Sequence, residues 1–368
     1  MRMVASRLLA NPNMTPNAPV QQWRRRMRQF RSVRPGLCAV PMVLLIVLMW
    51  WCPAAAQQKN EISLSRQPGF PYLPSLIIEK QQLIEKHAKQ LGLPTLKVNW
   101  VNFSGGGAQT DALLAGAVDF VTPGASNMLL LWDRTKGGVK GVVALSAQSL
   151  HLITKNASIK SLRDFGPADR IAVPTVGIST QAILLQMACV QQFGPNQAHR
   201  LDVNTVQMGH PDAMAALANV RHEVTSHFSA PPFSYLEMKT IPNARVILRT
   251  EDVIGGSLTN AQFFGLTRFA DANPKVIEAL KAATLEAIDF INKDTRAALG
   301  TYREISKDKT SVEELLEALK QPGAAGFSAT PQGTMKLAEH LYKIGTLKTM
   351  PKAWTDYYMP IAHDLKGS

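Results

Sequence analysis

A strand–loop–helix–strand order occurs twice in this 368-residue chain, and it restricts the fold to open α/β sheets. After Ser75, apolar residues at helical spacing lead to a strand over 97–103, and strand, helix and strand follow over 118–145. From His151 the order begins again, with strands over 171–174 and 205–208 and helices over 182–193 and 211–220. Because such connections are right-handed, this order predicts two mostly parallel sheets flanked by helices.

The two repeats also predict two lobes. Strand patterns return over 244–248 and 262–267, and the chain is helical from Asn273 almost to its end. We therefore expect a first lobe made of 57–150 and 241–368, with a helical C-terminal extension, and a second lobe, 151–240, inserted into it. The chain would cross between lobes near 148–151 and near 239–245, and these crossings would form a hinge.

The first 56 residues have the composition of an export signal. They contain eight arginines and no acidic residue, then an apolar run from Leu37 to Trp51, then small residues at Ala54 and Ala56. A basic region, a short apolar region and an A-x-A site predict a signal peptide cleaved after Ala56. An uncleaved membrane anchor is the alternative. Without those arginines the formal net charge of +13 falls to +5, so no nucleic-acid-binding patch is implied.

Cysteine use agrees with an exported protein that has no disulfide. Two of the three cysteines, Cys38 and Cys52, fall in the expected signal, and Cys189 lies in an apolar helical stretch. A single cysteine in such a stretch is best interpreted as a buried thiol. We expect the mature chain in a periplasm-like space.

The common catalytic motifs do not fit this sequence. His222 and His227 are five residues apart on a predicted strand, whereas zinc proteases place two histidines four apart on a helix. Gly177-Ile178-Ser179 resembles a nucleophile elbow, but Gln181 stands where its second glycine belongs. The glycines of 105–107 lack the spacing of a nucleotide-binding loop. The sequence therefore predicts no catalytic residue, no metal and no cofactor.

Small, polar and aromatic residues instead follow the predicted strands, at one rim of each sheet. In open α/β folds ligands bind outside the carboxyl ends of the strands, and glycines and helix N-termini there bring backbone N–H groups to a ligand. Ser179 or Thr180 can also cap the helix that follows. The candidate ligand-binding residues are Phe70, Tyr72, Gly105, Gly106, Gly107, Thr122, Gly124, Ser126, Ser179, Thr180, Gln181, His227 and Ser229.

Several segments together resemble the nitrate/sulfonate/taurine group of ABC-transporter substrate-binding proteins. They cover about residues 61–360, and their order and spacing, rather than any one motif, carry the resemblance. The segments are 111–120 (DALLAGAVDF), 159–165 (IKSLRDF), 170–174 (RIAVP), 210–213 (HPDA), 227–233 (HFSAPPF), 344–345 (IG) and 354–358 (WTDYY).

The resemblance implies a type II periplasmic-binding-protein fold with a ligand held between two lobes. It also implies delivery of that ligand to a membrane permease driven by an ATPase partner, with the chain acting as a monomer. Carried onto this chain, the family's pocket loops fall at 67–72, 105–109, 122–126, 179–181 and 227–229, which adds Gln109 to the candidate residues. Family members that bind sulfonates or nitrate often present a cation, yet these loops contain no Arg or Lys except Arg66 at one margin.

Two other classes share the expected architecture. Thiamine-pyrimidine synthases are enzymes on this fold, but the chain has no cysteine-rich iron-binding motif, and an export signal is unusual for them. A periplasmic module that presents a ligand to a membrane receptor is the second alternative.

Overall fold

In the computed structural model, which describes residues 59–368, two five-stranded sheets form the framework of one compact unit. The predicted signal peptide and its cleavage site lie outside the described residues. Among residues 59–368, no helix has both the length and the apolar character needed to cross a bilayer.

The first sheet has four strands in one direction and one that opposes them. Its order is β2-β1-β3-β10-β4, in which β1 is parallel to β2 and β3, and β10 is antiparallel to β3 and β4. The sequence order placed the third and fourth strands side by side, but the distant β10 lies between them. The strands are β1 (Glu61–Arg66), β2 (Lys97–Asn102), β3 (Phe120–Val121), β4 (Val139–Ser146) and β10 (Ala261–Leu266).

The second sheet repeats this arrangement. Its order is β7-β6-β8-β5-β9, with β6 parallel to β7 and β8, and β5 antiparallel to β8 and β9. Both sheets are therefore mixed. In each sheet the antiparallel strand is the first one that the chain forms after it crosses from the other lobe. The strands are β5 (His151–Thr154), β6 (Arg170–Val173), β7 (Thr205–Gln207), β8 (Val224–Ser229) and β9 (Arg245–Arg249).

The chain crosses between the sheets twice, over 147–150 and over 250–260. The first crossing lies where the sequence placed it. The second was expected near 239–245, and this boundary is wrong because β9 pairs with β5 in the second sheet. Asn260 joins the two crossings: its Nδ2 donates to Gln148 O at 2.7 Å, and its Oδ1 accepts from Ser146 Oγ at 2.7 Å.

Thirteen α-helices occupy residues 59–368, and six of them follow a strand that has a parallel neighbour. The helices are α1 (Leu73–Gln81), α2 (Leu83–Gln90), α3 (Gly106–Leu114), α4 (Ala125–Arg134), α5 (Thr180–Phe193), α6 (His210–Ala218), α7 (Phe233–Thr240), α8 (Thr250–Ile254), α9 (Thr267–Ala272), α10 (Pro274–Lys293), α11 (Thr295–Ser306), α12 (Val312–Leu319) and α13 (Thr334–Lys343). The helical C-terminal extension is thus confirmed.

The longest helix shows how the sequence builds the core. Helix α10 starts at a proline, which has no N–H to leave unpaired in the first turn. Its buried side chains recur every three or four residues, including Val276, Leu280, Ala283 and Ala287, and this stripe packs against α1 and α2.

Cys189 lies buried in α5 as a free thiol. Burial raises the pKa of this thiol to about 11, so it stays protonated and serves as an apolar packing group.

Candidate functional site

Four helix N-termini meet at a cleft between the two lobes. Helices α3 and α4 follow β2 and β3 of the first sheet, and α5 and α6 follow β6 and β7 of the second. Gly106, Gly124, Thr180 and His210, each at or beside the start of one of these helices, line the same cavity. The carboxyl ends of parallel strands thus define the rim, as expected for open α/β sheets.

The cavity in this cleft is narrow and uncharged. About 20 Å³ is open to the centre of a water molecule, which is room for about one water. None of the described residues that line it is Asp, Glu, Lys or Arg. The lining residues are Gln67, Pro71, Tyr72, Gly106, Pro123, Gly124, Asn127, Leu150, Pro174, Ser179, Thr180, Gln181, His210, Ala230 and Asn260.

Direct hydrogen bonds between the lobes hold the cleft in this closed arrangement. Gly107 N donates to Thr175 Oγ1 at 3.1 Å, and Ser126 Oγ donates to Ile178 O at 2.8 Å. Phe70 N donates to a carbonyl of the second lobe, that of Pro231, at 2.8 Å. A solute of several heavy atoms does not fit in the remaining space, so binding requires these contacts to separate.

The glycines at the rim allow the lobes to approach this closely. A Cβ on Gly105 would lie 2.7 Å from Pro174 O, and one on Gly107 would lie 2.9 Å from Thr175 Cγ2. Both distances are shorter than ordinary van der Waals contact. Only glycine fits at Gly105 while the cleft is closed, because its neighbour is backbone, whereas at Gly107 the Thr175 side chain would have to shift.

The N-termini at the cleft are mostly left without side-chain caps. The caps of α3, α4 and α6 are glycines, which cannot supply a side-chain acceptor. Helix α5 is the exception, since Ser179 Oγ accepts a hydrogen bond from Ala182 N at 3.3 Å. The predicted cap is therefore confirmed. The three glycine caps offer no side-chain acceptor to the N–H groups of their first turns, of which Gly107 N in α3 donates to Thr175 Oγ1, whereas Pro211 in α6 has no N–H.

One buried amide in the cleft also has no partner. Asn127 lies in the first turn of α4, is 3% exposed and lines the cavity. Its Nδ2 has no hydrogen-bond partner among the described residues. A buried donor without a partner costs free energy unless something accepts its hydrogen bond, so this amide is a candidate contact for a ligand oxygen.

A row of buried titratable side chains leads from the second lobe to the cleft. Glu237 Oε1 lies 2.6 Å from His227 Nδ1, His227 Nε2 lies 2.9 Å from His210 Nδ1, and His210 Nε2 lies 3.3 Å from Gln181 Nε2. Burial, and the charge of His227, hold the pKa of His210 well below its usual value. Phe233 stacks on the His210 ring with centroids 5.8 Å apart.

The candidate ligand-binding residues fall into three groups according to where they lie relative to the cavity. Tyr72, Gly106, Gly124, Ser179, Thr180 and Gln181 line the cavity. Gly105, Gly107 and Ser126 lie where the lobes touch. Phe70, Gln109, Thr122, His227 and Ser229 are buried behind the wall.

Four of the residues behind the wall have identifiable structural partners, whereas Ser229 Oγ has none among the described residues, and neither has Gln109 Nε2. Phe70 packs edge-on against Tyr302, with ring centroids 5.2 Å apart. Gln109 Oε1 accepts hydrogen bonds from Ser65 Oγ and from Thr122 N, the latter at 3.1 Å. These side chains position the rim loops, and whether any of the candidate residues contacts a ligand stays a prediction.

Sequence reasoning left out three polar residues of the cavity wall: Asn127, His210 and Asn260. Asn127 is one residue beyond the chosen loop, in the same helical turn. His210 precedes Pro211 after a predicted strand, which is the rim pattern used for the other loops, so this signal was available. Asn260 precedes β10, and its position depended on the second crossing, which was misplaced.

Metal binding finds no support among residues 59–368, where no three His, Cys, Asp or Glu side chains are grouped to hold an ion. The sequence placed His222 and His227 on one strand, but only His227 belongs to it. His222 lies in a turn before β8, and His227 is fully buried within it.

Solved structures with the same architecture are known. No protein-family model matches the chain, and no curated protein matches it. The alkanesulfonate-binding protein SsuA from Xanthomonas axonopodis, solved with MOPS, aligns with a TM-score of 0.62 at 17% identity, over 80% of this chain and 96% of that one. SsuA from Escherichia coli, an aliphatic sulphonate-binding protein, aligns at 0.59 and 16%, over 82% and 99%.

A nitrate-binding protein shares the fold as well. NrtA from Synechocystis aligns with a TM-score of 0.60 at 13% identity, over 79% of this chain and 83% of that one. Residues 59–368 thus have the type II periplasmic-binding-protein fold, which the sequence resemblance had implied.

Proposed function

We propose that this chain is the periplasmic solute-binding component of an ABC importer. In this proposal the cleft captures a small organic solute, a sulfonate, a carboxylate or a related heterocycle, and delivers it to a permease. The main support is the convergence of four helix N-termini on an interlobe cleft whose described lining has no charged side chain. Such an arrangement favours binding of an acceptor-rich ligand over covalent chemistry.

Anion recognition would depend on backbone donors. Each helix N-terminus carries about half a positive charge, and unpaired N–H groups add directed hydrogen bonds. The glycine caps of α3, α4 and α6 supply no side-chain acceptor to such groups, the N–H of Gly107 would exchange its contact with Thr175 for the ligand, and Asn127 Nδ2 adds a side-chain donor. Hydrogen bonds to a charged group contribute roughly 1.5–3 kcal/mol each, so a few of them reach the ~8 kcal/mol of micromolar affinity.

Lobe closure would provide the signal to the permease. The two crossings at 147–150 and 250–260 join the lobes, and the hydrogen bonds across the cleft exist only in the closed form. A ligand that binds the closed form more tightly shifts the population toward it. The permease and its ATPase would distinguish this form from the open one.

The cellular context of the proposal comes from the sequence. A signal peptide over 1–56 would export the chain, and the mature protein would work as a monomer without a cofactor. The likeness to sulfonate- and nitrate-binding periplasmic proteins supports the fold on which this role depends.

An enzymatic function on the same fold is less well supported by the cleft. A Glu–His–His row resembles part of a catalytic triad, but such a triad needs a nucleophile hydrogen-bonded to the outer histidine. Within the described structure, the partner of His210 Nε2 is the amide of Gln181 and not a hydroxyl or thiol. A receptor-presenting module stays the second alternative, and interaction with a permease would separate it from an importer component.

A ligand screen on the purified mature protein tests the proposal. Sulfonates, carboxylates and pyrimidines would be compared by thermal shift, since a ligand at 100 times its Kd adds about 2.7 kcal/mol to stability. Isothermal titration calorimetry would then give the Kd of each hit. Turnover of a hit by the purified protein, or the failure of every class to bind, would contradict the proposed function.

A further inference from the structure

The Glu237–His227–His210 row connects a buried carboxylate to the ligand cleft. Glu237 and His227 are fully buried and His210 is 7% exposed, yet His210 lines the cavity. The three side chains come from α7, β8 and α6, so three separate elements hold the row in place. Glu237 Oε2 has no partner among the described residues, and a buried polar atom without a partner calls for an explanation.

Two proton arrangements satisfy every hydrogen bond along this row. When both histidines are neutral, His227 Nδ1–H donates to Glu237, His210 Nδ1–H donates to His227 Nε2, and His210 Nε2 accepts from the Gln181 amide. When the row gains one proton, His227 becomes an imidazolium and donates from both nitrogens. His210 Nδ1 then accepts, and His210 Nε2–H becomes a donor to the Gln181 amide.

The Gln181 side chain can serve both arrangements. Its amide presents either an N–H or an oxygen to His210 Nε2 after rotating by half a turn. The row therefore changes His210 from an acceptor to a donor without moving any backbone atom.

An anion in the cleft distinguishes these two arrangements. In the first, the row carries the net negative charge of Glu237, and Gln181, whose N–H is turned to His210, presents its amide oxygen to the cleft; both repel an anion. In the second, the carboxylate is neutralised by His227, and Gln181, whose oxygen accepts from His210 Nε2–H, presents its NH2 group to the ligand. The described lining contains no Lys or Arg to compensate for Glu237.

We infer that the cleft takes up its anionic ligand together with one proton, which the Glu237–His227–His210 row holds. This inference rests on the proposed function, because it requires an anion in the cleft. The other titratable group that lines the cavity is the hydroxyl of Tyr72, from the segment before α1. Asp212 on α6 is exposed to solvent. Neither belongs to the row.

Burial supports this assignment of the proton. The pKa of His210 lies well below its usual value because of desolvation and of the charge on His227. The 2.6 Å contact of His227 Nδ1 with Glu237 Oε1 assigns the added proton to the ring beside the carboxylate, and His210 relays the hydrogen bond as a neutral ring.

Proton uptake can be counted by calorimetry with ethanesulfonate and acetate as probes. The titration is repeated in buffers of different ionisation enthalpy. When the apparent binding enthalpy is plotted against the ionisation enthalpy of the buffer, the slope is the number of protons taken up on binding. At some pH between about 5 and 9, the wild type should take up close to one proton for each ligand bound. Over the pH values where it does so, Kd should rise about tenfold per pH unit. In His227→Gln the number should fall toward zero and Kd should lose its pH dependence.

His199→Gln is the matched control, because the His199 side chain is 61% exposed and does not line the cleft. It should take up the same number of protons as the wild type. Binding of either probe by the wild type without proton uptake anywhere in this range would overturn the inference and leave the proposed function standing. Binding of neither probe at millimolar concentration would contradict the anionic ligand class and the inference with it.

If His227→Gln does not fold, a measurement on the wild-type protein alone still tests the inference. Nitrogen-15 spectra of labelled histidine report which ring nitrogen carries the proton. With a bound probe, His210 should be protonated at Nε2 and not at Nδ1. Protonation at Nδ1 in the bound state would overturn the inference.

Discussion

Replacing Gly105 by alanine should block closure of the cleft without unfolding either lobe. Gly105 is extended, with φ −165°, so alanine can adopt its backbone conformation. In the closed form the new Cβ would lie 2.7 Å from the backbone oxygen of Pro174, whereas ordinary contact begins at 3.4 Å. The lobes must therefore separate by about 0.7 Å at this point, the difference between those distances, and a backbone carbonyl cannot rotate away.

The cost of this clash falls on the closed form alone. Overpacking of this kind typically costs about 1–3 kcal/mol. If ligand binds the closed form, that cost appears as an affinity loss of roughly 5- to 150-fold. The melting temperature of the ligand-free protein should change little, because opening relieves the clash.

Titration calorimetry and small-angle X-ray scattering test this together. Gly300→Ala is the control, because a Cβ there meets nothing within 4 Å, its φ is not positive, and it lies in α11, away from both crossings. Gly105→Ala should show a larger radius of gyration and a weaker Kd than Gly300→Ala. The reasoning would be refuted by scattering and affinity that match the control, since the lobes would then not need to meet at Gly105.

Three further changes probe the cap, the hinge and a buried histidine. Ser179→Ala with Thr180→Ala should weaken ligand binding far more than it lowers the melting temperature. Comparable losses would mean that both are structural caps, each contributing about 1 kcal/mol. Asn260→Ala removes the buried amide that joins both crossings, and urea denaturation should show a loss of about 1–3 kcal/mol; unchanged stability would mean that the crossings do not depend on it. Burial lowers the pKa of His340 from 6.5 to about 4, so the fold loses stability as pH falls between these values. His340→Gln should remove about 2 kcal/mol of that loss in urea titrations, allowing for screening by solvent, and an unaltered pH profile would contradict it.

Local sequence patterns predicted where helices and strands lie better than they predicted which strands pair with each other. Apolar spacing and a proline predicted the start of α10, and a serine before an apolar helix predicted the cap of α5, because both depend on residues within one or two turns. Strand order was harder to predict. Strand β10 lies between β3 and β4 in the sheet, although more than a hundred residues separate it from them along the chain. No spacing rule encodes that pairing.

The domain boundary and the site show the same limit. The strand β9 was recognised over 244–248 but assigned to the wrong lobe, because a single strand carries no mark of the sheet that it joins. His210 was visible in the sequence, yet its importance depends on the contacts with His227 and Glu237, residues 17 and 27 positions away. Such a row exists only once the sheet has formed.

The glycine caps at the cleft bear on how this protein can change over evolution. A donor that belongs to the backbone survives almost every substitution, because all residues except proline supply an N–H. Alanine scanning would leave the N–H groups at three of the helix ends in place, so a cap glycine would respond only through the Cβ that alanine adds. Selectivity can then drift through side chains such as Asn127 and Gln181, while the capacity to hold an acceptor is inherited with the fold itself.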